Sequence, residues 1–144
     1  MAYEIGQKRV QDTEDYNDFA LGLKLPIKSG NNGLFEQNFS TIEQAKSNIK
    51  NLLMTQYGER VMQPNFGSNL NSVLFEQMDD IEFEDKVVST IESAVERWLP
   101  YVTIGDIELD LSNSNIDRNL VEVTISFTVG NDIDTNTVTF TLEE

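Results

Sequence analysis

The chain has 144 residues, 39% of them hydrophobic and 24% charged, so it suits one domain that buries a core without a disulfide or a metal. It contains neither cysteine nor histidine. That excludes thiol catalysis, disulfide scaffolding and any Ser-His-Asp or Cys-His site, and it removes the commonest general base and metal ligand. The net charge of −15 repels nucleic acid, whose binding depends on Lys and Arg displacing counterions, and points to neutral or basic partners.

Residues 1–18 are polar with isolated apolar positions and read as an N-terminal arm. They lack the apolar core of a signal peptide, and no later stretch approaches the ~20 apolar residues of a membrane span. The expectation is a soluble protein made in the cytoplasm, with residues 19–144 as one domain. FALGLKLPI, Phe19 to Ile27, alternates Leu21, Leu23 and Leu25. Pro26 within it permits an edge strand but not a central one. The next stretch, KSGNNGLFEQN, is a loop by composition.

Ser40-Thr41-Ile42-Glu43 has the spacing of a capping box, in which the serine hydroxyl accepts from the Glu43 amide and the glutamate reaches back. Ile42, Ala45, Ile49, Leu52, Leu53 and Tyr57 follow near the 3.6-residue period of a helix. Gly58 stands where a left-handed residue would close it. After a corner at residues 58–68, Asn69 to Phe75 can form one or two helical turns. A longer helix is expected from Asp79-Asp80, whose carboxylates suit an N-terminus. Its apolar face is Val87, Val88, Ile91, Ala94, Val95 and Trp98, and Pro100 disfavours helical geometry at Leu99.

Beyond Pro100 the period becomes two. Ile107, Leu109 and Leu111 alternate with Asp106, Glu108 and Asp110. Val121, Val123, Ile125, Phe127 and Val129 alternate with polar residues, and so do Val138, Phe140 and Leu142. With SNSNIDRN and GND as turns, this spells a three-stranded antiparallel meander with one buried face. The helices must cover that face, so the fold class is α+β: arm and extended segment, two main helices with a short one between, then the sheet. From Tyr101 onward nine acids stand against one base, Arg118.

Few residues suggest chemistry. Asp132, Asp134, Asn136 and Glu143 have the offsets of a calcium loop, but Thr137 occupies its glycine position and Val138 to Leu142 alternates as a strand. No metal or other cofactor is expected. Glu59 is the most suggestive carboxylate, yet the adjacent Arg60 favours a charged group, unsuited to a general acid. Trp98 ends an apolar stripe and reads as core, as do Phe19, Phe35, Phe39 and Phe75. In the corner, Glu59 can pair with Arg60, Pro64-Asn65-Phe66-Gly67 reverses the chain, and Met62 and Phe66 can plug beneath the helices.

The order TQYGERVMQPNFGSNLNSVLF, Thr55 to Phe75, resembles the signature of the baseplate wedge proteins of contractile-tailed bacteriophages, the "lysozyme-like" proteins that initiate the sheath, with a counterpart in type VI secretion systems. Thr55, Gly58, Glu59, Arg60, Met62, Pro64, Phe66, Gly67 and Leu70 match its pattern, and the resemblance runs from about Phe19 to the C-terminus. One departure is Leu99-Pro100-Tyr101, where the family commonly has Glu-Pro-Arg, implicated in holding other wedge subunits. An apolar contact through Leu99 and Tyr101, or a different wedge partner, is the expected replacement for the family's ionic contact there.

It further implies a non-enzymatic virion protein of the tail baseplate, made in the host cytoplasm, monomeric alone and present in several copies once assembled. Its partners would be other wedge proteins and tail sheath subunits. The family's sheet is similar to the sheath domains that exchange strands, which makes Asn136, Thr137, Val138, Thr139, Phe140, Thr141 and Leu142 the expected pairing edge; Lys and Pro, which would blunt it, are absent from this stretch. The nine acids would draw a basic complementary surface. The competing readings are a cell-wall glycosidase, which the family's "lysozyme-like" name invites, and a generic acidic adaptor of a contractile secretion machine.

Overall fold

A computed structural model describes residues 19–30, 34–74, 80–110, 120–130 and 134–143. The arm at 1–18, Phe75, Asp79, Leu111, the SNSNIDRN turn and Asp132 lie outside the described residues.

The chain opens with a two-stranded ribbon, β1 (Gly22–Leu23) and β2 (Gln37–Asn38), paired antiparallel. The composition that suggested a plain loop therefore contains a strand, and two-residue strands are too short to leave a period. Asn38 fastens the ribbon to the first helix. It is fully buried, and its Nδ2 donates to Ser47 Oγ at 2.8 Å, Gln44 Oε1 at 3.1 Å and the Leu23 carbonyl at 3.2 Å. Its Oδ1 has no donor among the described residues. A Lys24–Glu36 ion pair of 2.8 Å ties the two sides of the ribbon at the surface.

Replacing Asn38 by alanine strands the Leu23 carbonyl and leaves a small void. The expected cost is about 1–3 kcal/mol, read as a lower midpoint in urea unfolding.

Phe19, Phe35 and Phe39 do not anchor the core: they are exposed, Phe19 by 81%. The ribbon lies on the surface of α1 rather than beneath it, so these rings have little to bury against among the described residues.

The first main helix, α1 (Thr41–Met54), starts at Ser40, whose hydroxyl accepts from the Glu43 amide at 3.2 Å. Ala45, Ile49, Leu52 and Leu53 are its buried apolar positions. A short α2 (Leu70–Leu74) and a long α3 (Asp80–Trp98) follow. Leu70, Val73, Val87, Ile91, Ala94 and Val95 close against α1.

The sheet is β3 (Val102–Asp110), β4 (Leu120–Val129) and β5 (Asn136–Glu143), antiparallel in that order. Val123, Ile125 and Phe127 of β4 are fully buried beneath the helices, joined by Val138 and Phe140. Each such side chain removed from water contributes about 1.5–3 kcal/mol. This is the α+β arrangement expected from the periodicities, with one sheet face covered and Thr137, Thr139 and Thr141 facing solvent.

One irregularity breaks the pattern. Ile104 pairs with Phe127 but Ile107 pairs with Ile125, so β3 carries a bulge at Gly105-Asp106. Ser126 fills it: its hydroxyl accepts from the Asp106 amide at 2.6 Å and donates to the Asp106 carbonyl at 2.9 Å. Changing Ser126 to alanine leaves both backbone groups to water. The expected loss is about 1 kcal/mol, with faster amide hydrogen exchange at Asp106.

Candidate functional site

The corner between α1 and α2 is assembled by groups that finish the helix. Thr55 leaves α1 in extended conformation (φ −91°, ψ 128°), and its hydroxyl donates to the Asn51 carbonyl. Ser68, returning alongside, donates its hydroxyl to the Leu53 carbonyl at 2.8 Å and its amide to the Thr55 carbonyl at 2.9 Å. Carbonyls that a helix end leaves orphaned are satisfied in this way. The helix therefore stops at Met54, and Gly58 does not close it. Gly58 (φ +84°) instead shapes the turn, its amide donating to the Pro64 carbonyl at 2.7 Å. Tyr57 stands outside the helix, about half exposed.

Glu59 and Arg60 are each engaged elsewhere rather than with one another. The Glu59 carboxylate accepts from the Gln56 amide at 3.0 Å. The Arg60 guanidinium donates to Asn51 Oδ1 at 3.1 Å and lies 3.9 Å above the Phe66 ring. Phe66 meets Trp98 edge-on, with centroids 5.2 Å apart, and the Arg97 guanidinium stands 5.3 Å from the Trp98 ring. Cation, ring, ring and cation thus form a row that clamps the corner to the end of α3; a single cation–ring contact at an exposed site contributes about 0.5–1 kcal/mol.

Gly67 is buried against the Thr55 backbone, and Leu70 is core. Met62 departs from expectation. It does not plug beneath the helices but is 91% exposed, beside Val61 at 94%, because the turn closed by Gln63 N–H to Arg60 carbonyl carries both at its tip.

At the end of α3, Leu99 is buried and belongs to the core. Pro100 and Tyr101 beside it are exposed. The Tyr101 hydroxyl accepts from Asn48 Nδ2 at 2.7 Å. Asn48 and Asn51, three residues apart, lie on one face of α1, so this turn and the Arg60 side of the corner flank the same helix face.

The sheet has two outer edges. Along β5, Asn136 to Glu143 pairs with Phe127 to Leu120 in unbroken register, and the other side of the strand has no sheet partner among the described residues. Beside it runs a groove of about 440 Å³, lined by Leu25, Pro26, Lys50, Asn51, Met54 and Thr55 together with Thr139, Phe140 and Thr141. The β3 edge carries the bulge, and its flanking groove includes Glu92 and Glu96.

A family model described as "Baseplate wedge protein gp25" matches residues 40–133, which hold both main helices, the corner and most of the sheet. The chain belongs to that family. The gp25 family comprises structural components of contractile-tail baseplates, and membership places this protein in the tail baseplate.

Two solved structures agree on the fold. A putative tail lysozyme from Geobacter sulfurreducens superposes with a TM-score of 0.64 at 19% identity, covering 72% of this chain and 91% of that one. A chain of the anti-feeding prophage baseplate gives 0.62 at 20% identity, covering 78% and 86%. A chain of the post-contraction pyocin R2 baseplate gives 0.47 at 15% identity, covering 82% and 98%. No curated protein matches the chain.

In this gp25-family chain, eight of the nine signature positions serve the fold itself, as cap, turn, clamp, close approach or core. Met62 does not. Sequence reasoning missed the exposed Val61-Met62 tip because an apolar residue in a turn reads first as an inward plug. It also missed the bulge, although Val102 and Ile104 are out of phase with Ile107 and Leu109, a signal present in the sequence.

Proposed function

We propose that this chain is a non-enzymatic wedge component that starts the tail sheath, its β5 edge receiving an extended segment of the first sheath subunits. The observation that carries this reading is the difference between the two edges. β5 offers eight residues in unbroken register, among which Lys and Pro are absent. β3 is kinked by a bulge at Gly105-Asp106. Open strand edges bind extended segments through main-chain hydrogen bonds, and bulges discourage this.

On the same reading the corner holds the sheet at a fixed angle to the helices. Pro100, Tyr101 and the exposed Val61-Met62 tip meet neighbouring wedge proteins. The free protein is a monomer in the host cytoplasm that joins the baseplate in several copies. The test is sheath nucleation: baseplates lacking this component, mixed with sheath subunits, regain sheath when the wild-type protein is supplied and fail to do so with a folded variant whose β5 edge is blocked.

Kinship with a protein called a tail lysozyme raises the question of hydrolysis. Here the Glu59 carboxylate is committed to capping the Gln56 amide, a structural role. Wild type and Glu59→Gln are both expected to leave purified cell wall intact in a turbidity assay; hydrolysis by wild type that the variant loses would replace the structural reading with an enzymatic one.

A further inference from the structure

Resting on the β5-edge reading, we propose that the groove beside β5 selects the incoming segment, accepting apolar side chains at its inner positions and a carboxylate opposite Lys50. A strand added to β5 continues the sheet, so every second side chain points to the covered face. Past β5 that face is the groove itself. Leu25 and Pro26 stand on one side, Met54 and Thr55 at the end of α1 on another, and Phe140 beneath. A backbone edge along its floor makes an extended peptide the fitting occupant, since it alone satisfies the edge and fills the groove together.

Charge adds the second requirement. Residues 19–60 hold five bases (Lys24, Lys28, Lys46, Lys50, Arg60) against three acids (Glu36, Glu43, Glu59), although the whole chain carries −15. Lys24 is spent on Glu36 and Arg60 on Asn51 and Phe66. Lys50 lines the groove half-buried, with no ion pair among the described residues. The groove beside β3 has the opposite character, with Glu92 and Glu96 on its wall. A segment with an inner carboxylate is therefore drawn to β5 and repelled from β3, which fixes both edge and register.

The probes are capped ten-residue peptides that alternate Thr with Val or Leu, carrying either Glu or Lys at one inner position. Each is titrated against the full-length protein by fluorescence anisotropy and used to compete with the cognate sheath subunit. The Glu peptide should bind wild type about two- to fivefold more tightly than the Lys peptide, the scale of a partly exposed ion pair. Lys50→Glu should reverse the order, and Met54→Lys should weaken both peptides about tenfold by placing a charge in the apolar wall.

Three results would overturn the inference. If both peptides compete with the sheath subunit equally and Lys50→Glu changes neither, the groove does not select, while edge pairing stands. If no peptide competes and β5-blocked variants still nucleate sheath, the edge reading falls as well. If light scattering shows the protein self-associating and Met54→Lys abolishes this, the groove belongs to a second copy.

Discussion

Proline at one of two neighbouring positions of β5 is expected to cut sheath nucleation at least about tenfold and leave the protein folded. Along a strand, successive backbone N–H groups point alternately to the two neighbours. Of Val138 and Thr139, one therefore donates to β4 and the other toward the open edge. Proline removes the donor and adds bulk at that point. The variant that loses the β4 bond should be destabilised by about 3 kcal/mol or more, visible as a lowered melting temperature. The other should melt near wild type, because proline is tolerated on edges, yet should reduce nucleation at least about tenfold through the lost bond and the blocked approach. Thr139→Pro and Val138→Pro, compared by thermal melting and by sheath length in electron micrographs, separate folding from pairing. Full nucleation by both, with both folded, would remove β5 as the template.

Gly67→Ala is expected to be the most damaging small substitution in the corner. Gly67 has φ +119°, and a methyl group there would run into the Thr55 carbonyl, which Ser68 holds in place. Strain at positive φ costs roughly 1–2 kcal/mol, and forced overpacking adds about 1–3 kcal/mol. For a chain of this size that lowers the melting temperature by about 10 °C. Gly58→Ala provides the control. Its φ is +84°, but a methyl group there meets open space, so the expected loss is only the conformational part, about 1–2 kcal/mol. Equal melting temperatures for the two variants would show that the Thr55–Gly67 approach does not organise the corner.

The helices and the sheet were legible because their apolar residues repeat over many turns. Ile49, Leu52 and Leu53 mark one stripe, and Val123, Ile125 and Phe127 another, and each is fully or almost fully buried. The exact end of α1 was not legible. It depends on Ser68, returning across the turn, to cap the Leu53 and Thr55 carbonyls, relations between residues fifteen and thirteen positions apart that no local period encodes. The ribbon was hidden for a related reason: β2 is two residues long, and what fixes it is the buried amide of Asn38 reaching three acceptors at once. Arg60 and Glu59 looked like a pair by adjacency, whereas neighbours on a turn point apart and find partners on α1 and beside it. The corner as a whole was legible only through its resemblance to a family signature. The fold then gave most of those positions a physical reason.

The bulge at Gly105-Asp106 bears on how far a chain of added strands could grow. A sheet open on both sides can pass its pattern outward in two directions and run on as a fibre. With β3 bent at Gly105-Asp106, that edge is a poor template for a further strand. On the proposed reading, strands are then added only beside β5, which gives whatever grows from the sheet one direction.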